Sequence, residues 1–535
     1  MKVINAKTID YLKKLKTIHL LFVIILIFGI FLRFANLDQK VYNADEVRKI
    51  IWLSGHSSEA FKEEVYRGNI VSAEELKRYQ YPSDDTTLAD VFKVLSGKTE
   101  HVPLHHIISR FWLQLFVTHS SAKVVSVLLS FLYFPCLYWL CIELFQSPLT
   151  GWVSIAIVSI SPFHILASQN AGSYSLWTVT ILLCSAALLR ALRVQAKTSW
   201  LMYAITLTLG FYTHLFSVVV ALGQAIYVIL IEKLKLTKTL INYGLSCVIS
   251  IVLFSPWIVI FFVNLGRVDE GTSYYDQFNI SFRKLIMFLY SNIGHVFIDF
   301  YHRYGRVEKL LYLCLFLLIT YSLYHLVRKT QINVWLFIVI LITLTPILHI
   351  IANFITPSAL HIQSRYYLPS HLGIQLSVAY LLASQMGSTS LKVWQRRVWS
   401  IIFLIIITLG MISGTILMQE KTAGLDDQRG TASGKNLAVA PYLNQAENPL
   451  VISETTHSFI LALLYLIDND VKFQLLQPDN VQQWQQKLNL VENISEFSDV
   501  FVFYPDPKFK TFIEQNENIT IQVVVNGLDK INLKN

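Results

Sequence analysis

The stretch SWLMYAITLTLGFYTHLFSVVVALGQAIYVILI, Ser199–Ile231, holds no Asp, Glu, Lys or Arg. Basic clusters flank it: Arg190, Arg193 and Lys197 come before it, and Lys233, Lys235 and Lys238 after it. About 20 apolar residues suffice to cross a hydrocarbon core of about 30 Å, so the run is too long for one span. Lys and Arg clusters beside spans stay on the cytoplasmic side. Both ends therefore belong on one side, and the run reads as a hairpin of two short helices turning near Thr213-His214. A single long helix would strand one cluster on the opposite face.

Charge-free apolar runs recur along the whole chain. Hydrophobic residues make up 54% of the 535 and charged residues 15%, with a mean hydropathy of +0.48. A soluble surface needs roughly 25–35% charged residues, so the chain reads as a polytopic α-helical membrane protein. Eleven spans are predicted, at 17–36, 122–142, 150–168, 173–190, 199–214, 216–231, 239–263, 309–326, 333–352, 366–384 and 399–418. The first is a signal anchor, because its apolar core is long and no small-residue cleavage site follows. Lys2, Lys7, Lys13, Lys14 and Lys16 precede it, and Arg328-Lys329 and Lys392, Arg396 and Arg397 follow later spans. Eleven spans put all of these clusters on the cytoplasmic side, with the N-terminus inside and the C-terminal region outside.

The transmembrane domain is thus expected over 1–419, with outer segments at about 37–121 and 264–308. The second of these carries Arg267, Arg283, Lys284, His302, Arg303 and Arg306. Near the end of the first, Leu104–Val117 keeps an i, i+3, i+4 apolar rhythm through Leu104, Ile107, Ile108, Phe111, Trp112, Leu115 and Phe116. His105, His106, Ser109 and Arg110 fall on its other face, which suits a helix lying in the membrane interface. From 420 to 535 the composition changes. The β-like runs Leu450–Ser453, Val471–Leu476, Asp499–Tyr504 and Thr520–Val525 alternate with helix-like stretches such as Ser458–Ile467. The expectation is a small soluble extracytoplasmic α/β domain behind a linker at Gly424–Gly434.

Several function classes fall away. The net charge of +9 is spread in small groups between spans, so no nucleic-acid partner is indicated. The five cysteines, Cys136, Cys141, Cys184, Cys247 and Cys314, all lie in apolar runs without a CxxC, against a disulfide framework or a zinc site. No GxGxxG, Walker loop, HExxH or GxSxG occurs. Asp468-Asn469-Asp470 matches the Asp-x-Asp of nucleotide-sugar enzymes, but Asp and Asn are also ordinary turn formers, and the turn is the expectation here. His101 and His105 have the spacing of helical metal ligands, yet no third ligand is fixed by the sequence. No metal residues are assigned and no cofactor is obligatory, with a divalent metal possible but not indicated.

What remains is Asp45-Glu46, about ten residues beyond the first span. Paired carboxylates there could act on a lipid headgroup, one as general base and the other holding it or a hydroxyl; two solvated loop acids are the plain alternative. Around this pair run Leu32-Arg33-Phe34-Ala35-Asn36-Leu37, Glu100-His101-Val102-Pro103-Leu104, Ser161-Pro162-Phe163-His164 and Gln169-Asn170-Ala171-Gly172-Ser173-Tyr174. In this order and spacing the chain resembles bacterial membrane glycosyltransferases of the GT-C superfamily, namely glycosyltransferase family 39, the relatives of protein O-mannosyltransferases and the lipid A aminoarabinose transferase. The resemblance implies a GT-C fold in the cell (inner) membrane. It also implies transfer of a sugar from a polyprenyl-phosphate donor to an extracytoplasmic glycan, lipid or protein acceptor, with membrane lipids as surroundings.

On that resemblance Asp45 is the catalytic base and Glu46 a supporting acid. Lys123 and Arg365 become candidate partners of the lipid phosphate, because a guanidinium fork at the interface suits a phosphate; Arg365 could equally be an interfacial anchor. Glu100, His101, Tyr174 and Tyr366 complete the expected substrate-binding set. Arg303 and Arg306 are weaker candidates for the same phosphate. Three positions depart from the family pattern: Asn170 and Gly172 stand where a Glu and an Arg are expected, and Val102 in His101-Val102-Pro103 stands where a Pro is. These changes favour altered specificity or a catalytically inactive relative. A transporter or flippase for lipid-linked glycans is the rival from another class. It is expected to bury ionisable groups mid-span, and the chain shows no internal repeat.

Overall fold

The computed structural model describes residues 6–116, 118, 120–264, 280–425 and 431–534. Lys2, Val117, Arg267 with the rest of 265–279, and residues 426–430 of the expected linker lie outside the described residues. The chain divides into two compact units. One comprises Met1–Leu37, Lys98–His105 and Lys123–Glu420, and the other comprises Asp38–Gly97, His106–Ala122 and Lys421–Asn535.

The first unit is helical, and each of the eleven predicted spans falls on helix. These are Ala6–Phe34; Ser121–Ser130 with Tyr133–Phe145; Pro148–Ser159 with Pro162–Ser168; Tyr174–Val194; Lys197–Thr213; Ser217–Ile231; Lys238–Val263; Arg306–Lys329; Ile332–Ile355; Leu368–Gly387; and Val393–Gln419. Among the described residues, seven helices are long and apolar enough to cross a membrane, or eight if the bent pair Pro148–Ser159 and Pro162–Ser168 counts as one span. The count of eleven is therefore not confirmed by length and apolarity. The arms Lys197–Thr213 and Ser217–Ile231 are 17 and 15 residues long. Leu368–Gly387 buries the polar Ser370, His371, Gln375 and Ser377.

The charge-free run does break where its length requires. His214 ends the first arm in an extended conformation, and the Ser217 hydroxyl donates to the Gly210 carbonyl at 2.7 Å, fastening the turn.

Proline explains the bend of 66° between Pro148–Ser159 and Pro162–Ser168. Pro162 has no N–H to give the carbonyl of Val158 one turn back, and that carbonyl accepts from Ser161 N–H at 3.4 Å instead. Arg33 adds a charged donor at the bend: Nη2 donates to Val158 O at 3.2 Å and Nη1 to Ser159 O at 2.5 Å and Gly29 O at 2.8 Å. The guanidinium also lies over the Phe134 ring at 5.5 Å. The close approach depends on Gly29, where a β-carbon would stand 2.4 Å from the Ser159 carbonyl oxygen.

The second unit carries a six-stranded sheet: β1 (Ile70–Ser72), β2 (Pro449–Ser453), β3 (Lys472–Leu475), β4 (Asp499–Phe503), β5 (Ile519–Val525) and β6 (Leu528–Leu533), in the order β1-β3-β2-β4-β6-β5. Strand β2 runs parallel to β3 and β4, and the outer pairs are antiparallel. Every residue of β2 is buried, as a parallel central strand covered on both faces requires. Leu450, Ile452, Val500, Val502, Trp484, Phe509 and Ile513 form its core. The Asp468-Asn469-Asp470 segment precedes β3 as a turn, with Asn469 Oδ1 accepting from Lys77 Nζ at 2.7 Å.

Strand β1 comes from the first outer segment, not from the C-terminal region. Residues around it make further ties: Gly68 N–H to Leu475 O (2.9 Å), Ala73 N–H to Val471 O (2.8 Å), Tyr66 hydroxyl to Thr455 O (2.7 Å) and Gln80 Nε2 to Leu461 O (2.7 Å). Residues 421–535 expressed alone would expose the edge of β3 and leave these acceptors unpaired. The fragment is expected to aggregate alone and to become monomeric when linked to 38–97. Size-exclusion chromatography checks this; a monomeric 421–535 with native-like circular dichroism would contradict it.

At the end of β2, Glu454 is 2% exposed. One carboxylate oxygen accepts from Asp506 N–H at 2.7 Å, and the other has no partner. Burial pushes its pKa up from 4.5 to about 7, partly opposed by its backbone hydrogen bonds. A raised carboxyl pKa means that the folded state holds a proton which the unfolded chain has released. Stability of the linked fragment should therefore fall as pH rises from about 4.5 to about 7, by about 3 kcal/mol in all, and then level off. Glu454→Gln should flatten that slope in urea titrations; an unchanged slope would assign it to other groups.

Candidate active site

Asp45 and Glu46 occupy the first turn of the helix Ala44–Leu53, in the second unit. Asn43 caps this helix: its side chain accepts from Glu46 N–H at 2.9 Å, while Glu46 Oε2 accepts from Asn43 N–H at 2.9 Å. This reciprocal box satisfies two otherwise orphaned donors. Glu46 is buried by it, so its carboxylate fixes the turn that carries Asp45. Asp45 is partly exposed and forms an ion pair with Arg48 one turn on. Behind the turn, Tyr42 stacks on Tyr465 with ring centroids 4.1 Å apart. Burial, with Tyr465 and Glu46 adding to it, raises the pKa of the Tyr42 hydroxyl.

The helix Leu104–Leu115 forms as expected. Its polar face is the one packed into protein: His105, His106, Ser109 and Arg110 are buried, while Phe111 and Leu115 are exposed. Arg110 donates to Leu53 O at 3.0 Å and to Thr86 Oγ1 at 3.2 Å. Just before this helix, Glu100 and His101 face each other at 3.9 Å, both partly exposed. Lys123 is buried in the first turn of Ser121–Ser130.

In the first unit, Tyr174, Arg365 and Tyr366 come together. Arg365 lies in the short turn Ser364–Tyr367, is 5% exposed, and stands over Tyr174 at 6.0 Å and Tyr366 at 5.4 Å. Around it is a cluster that the sequence reading did not single out. Tyr366 stacks on Phe216 at 4.6 Å, and Phe216 stacks on His349 at 5.7 Å. His214 stacks on Trp177 at 4.3 Å. Thus the turn of the charge-free hairpin supplies His214 and Phe216, and the end of Ile332–Ile355 supplies His349. One helical turn along the chain from Phe216 and His349, a small crevice is lined by Val219, Val220, Gln224, Tyr227, Thr345 and Pro369 among others.

Other quoted motif residues act as ties. Gln169 Nε2 donates to Leu32 O at 3.1 Å and Arg33 O at 3.3 Å. Ser126 donates to Gly172 O at 3.2 Å. Asn170 is buried with its Oδ1 unpartnered. His164 bonds Gln375 Oε1 through Nε2 at 2.9 Å, deep in the bundle beside His371. Arg303 is paired with Glu420. Among the described residues no group of three or more His, Cys, Asp or Glu could hold a metal ion.

Residues 100–260 match the family profile described as dolichyl-phosphate-mannose-protein mannosyltransferase. The structure is similar to that of ArnT from Cupriavidus metallidurans bound to undecaprenyl phosphate, with a TM-score of 0.55 and 13% identity, covering 96% of this chain and 97% of that one. The apo state of the same protein matches with a TM-score of 0.52 at 13% identity, over 97% of this chain and 98% of that one. No curated protein sequence matches the chain. The chain therefore has a GT-C fold and resembles glycosyltransferase family 39.

Proposed function

We propose that the protein is a glycosyltransferase that moves a sugar from a polyprenyl-phosphate donor to an extracytoplasmic glycan, lipid or protein acceptor. One observation carries this reading most directly: within a GT-C fold, a buried arginine stands among aromatic rings, over Tyr174 and Tyr366. A guanidinium fits the lipid phosphate. The protein then lies in the cell (inner) membrane, with the N-terminus cytoplasmic and the C-terminal region outside. An alkaline-phosphatase fusion at the C-terminus should be active; an inactive one would reverse that topology.

In the proposed reaction Asp45 takes the proton of an acceptor hydroxyl or amine. The freed lone pair attacks C1 of the sugar, the C1–O bond breaks, and its electrons leave with the polyprenyl phosphate. Arg365 and Lys123 bind the phosphate, Tyr174 and Tyr366 flank it, and Glu100 and His101 make polar contacts to substrate. Glu46 holds the Asp45 turn.

Purified protein incubated with a panel of polyprenyl-phosphate sugars should release polyprenyl phosphate. Arg365→Ala is expected to raise the apparent KM for the donor about ten- to hundredfold, as loss of a charged hydrogen bond does, with kcat changed less. An unchanged KM would remove Arg365 from the donor site. The flippase reading draws on one finding, the imidazoles of His164 and His371 buried inside the bundle. Movement of labelled lipid across liposomes without any chemical change would favour it.

A further inference from the structure

His349 and His361 meet through their Nδ1 atoms at 3.1 Å. Two lone pairs cannot face each other at that distance, so one nitrogen carries the proton. The assignment follows from the far end of the pair. His361 Nε2 lies 3.0 Å from the Thr356 carbonyl oxygen, which can only accept, so Nε2 is the protonated nitrogen of His361. No carboxylate among the described residues bonds either ring to hold a second proton there. His361 Nδ1 is then the acceptor, and His349 Nδ1–H donates to it. The proton of His349 is thereby committed, and its Nε2 keeps a bare lone pair.

That lone pair has no partner, and the His349 side chain is 5% exposed. Buried acceptors are normally satisfied, and an exception calls for an explanation. Stacking holds the ring in place: Phe216 lies at 5.7 Å, Tyr367 at 4.9 Å and Tyr366 at 6.3 Å. Tyr367 also donates its hydroxyl to the His361 carbonyl at 2.7 Å, locking the second ring. The orphan acceptor therefore sits on a rigid ring, one aromatic residue away from Arg365.

We infer that His349 Nε2 accepts a hydrogen bond from a hydroxyl of the donor's sugar, an inference that rests on the donor-binding reading of the Arg365 site. The chemistry selects the partner. A phosphodiester oxygen only accepts and would meet the lone pair unfavourably, and an isoprenoid chain has nothing to donate, whereas sugar hydroxyls donate. His349 would then favour the loaded lipid over the spent polyprenyl phosphate, which has lost its sugar hydroxyls. His361 is a positioning residue, since it acts by fixing the tautomer.

Two measurements on the full-length protein in detergent test this. The first is ¹⁵N spectroscopy of histidine-labelled protein, with His349 assigned by its loss in His349→Gln. An unprotonated Nε2 is expected, and a protonated Nε2 overturns the inference whatever the substrate. The second is binding of undecaprenyl phosphate, bare or carrying mannose, glucose, galactose or 4-amino-arabinose. Wild type should prefer one sugar lipid over the bare lipid. His349→Asn keeps a donor near the Nδ1 position but does not reach as far as Nε2, and should lower affinity for that sugar lipid about five- to thirtyfold, the range of a lost neutral hydrogen bond. Its affinity for bare undecaprenyl phosphate should not change. His349→Gln, whose amide oxygen can stand near the Nε2 position, should restore most of the loss. Equal loss for both lipids, or no sugar preference in wild type, overturns the inference while the donor reading stands. Failure of wild type to bind any of these lipids defeats both.

Discussion

Replacing Asp45 with Asn is expected to lower turnover about 10²–10⁴-fold, the usual contribution of a general base, in a protein that still folds. The structure separates these two effects. Asn is nearly isosteric, and the ion pair it removes joins partly exposed side chains, Arg48 at 39% and Asp45 at 26%. Such pairs contribute about 0–1 kcal/mol. The capping box of Asn43 and Glu46 does not involve the Asp45 side chain, so the helix start survives. Glu46→Gln is the matched comparison, because its amide oxygen can still accept from Asn43 N–H. If Glu46 works as the cap, that variant loses little turnover, and the two neighbouring acids give contrasting results. Release of polyprenyl phosphate from a sugar lipid, measured on monodisperse protein, checks both. Wild-type turnover in Asp45→Asn would remove the proposed base.

The largest structural effect is expected from Gly29→Val. Even the first added carbon would stand 2.4 Å from the Ser159 oxygen, 2.7 Å from its carbonyl carbon and 2.8 Å from its β-carbon. Two of these are backbone atoms, so no side-chain rotation relieves the overlap and the helices must separate. Separation also draws Arg33 away from Val158 O and Ser159 O, removing charged hydrogen bonds in the bundle interior. Overpacking and broken charged hydrogen bonds together should cost about 3–5 kcal/mol. The thermal midpoint in detergent should drop markedly or folded protein should not accumulate. Gly244→Ala is the control: it changes a helix glycine with nothing within 4 Å of the added carbon, and should behave as wild type. A Gly29→Val protein with the wild-type midpoint would show that the two helices do not depend on this contact.

Much of this architecture was legible because it is written in local composition. The break at His214 follows from the length of an uncharged run between basic clusters. The runs at Leu450, Val471 and Asp499 became β2, β3 and β4 because parallel strands need continuous apolar residues, and the β-branched run at Thr520 became the antiparallel edge strand β5. Strand β6 was missed, although Asn526-Gly527 between two apolar runs is a strong hairpin signal and Gly527 takes φ +94°. Strand β1 had no such signal: three residues cannot show a period, and its partner β3 lies about 400 positions away.

The site was legible only in part. Tyr174, Arg365 and Tyr366 could be proposed from the resemblance, and they do meet. His214, His349 and His361 each stand alone in the sequence, in a turn or an apolar stretch. Only the fold brings His349 onto His361 and Phe216. The helix Leu104–Leu115 shows a different gap. Its two faces were visible from periodicity, but that its polar face would be the buried one depended on acceptors at Leu53 and Thr86, which sequence does not place.

Strand β1 also imposes an arithmetic constraint on the membrane domain. Ile70 pairs with Gln474 and Ser72 with Lys472 in one sheet, so both strands lie on the same side of the bilayer. Between them the chain must cross an even number of times. The helix reaching from Leu20 precedes β1, which leaves six of the seven qualifying helices in the interval, an allowed number. Counting the bent pair as an eighth span makes seven crossings, which is forbidden unless another helix crosses too. If both hairpin arms and Leu368–Gly387 cross along with the bent pair, the interval holds ten, and the parity is even again. Total counts of seven or eleven are compatible with the sheet and a total of eight is not. In either allowed case the two chain termini fall on opposite sides of the membrane.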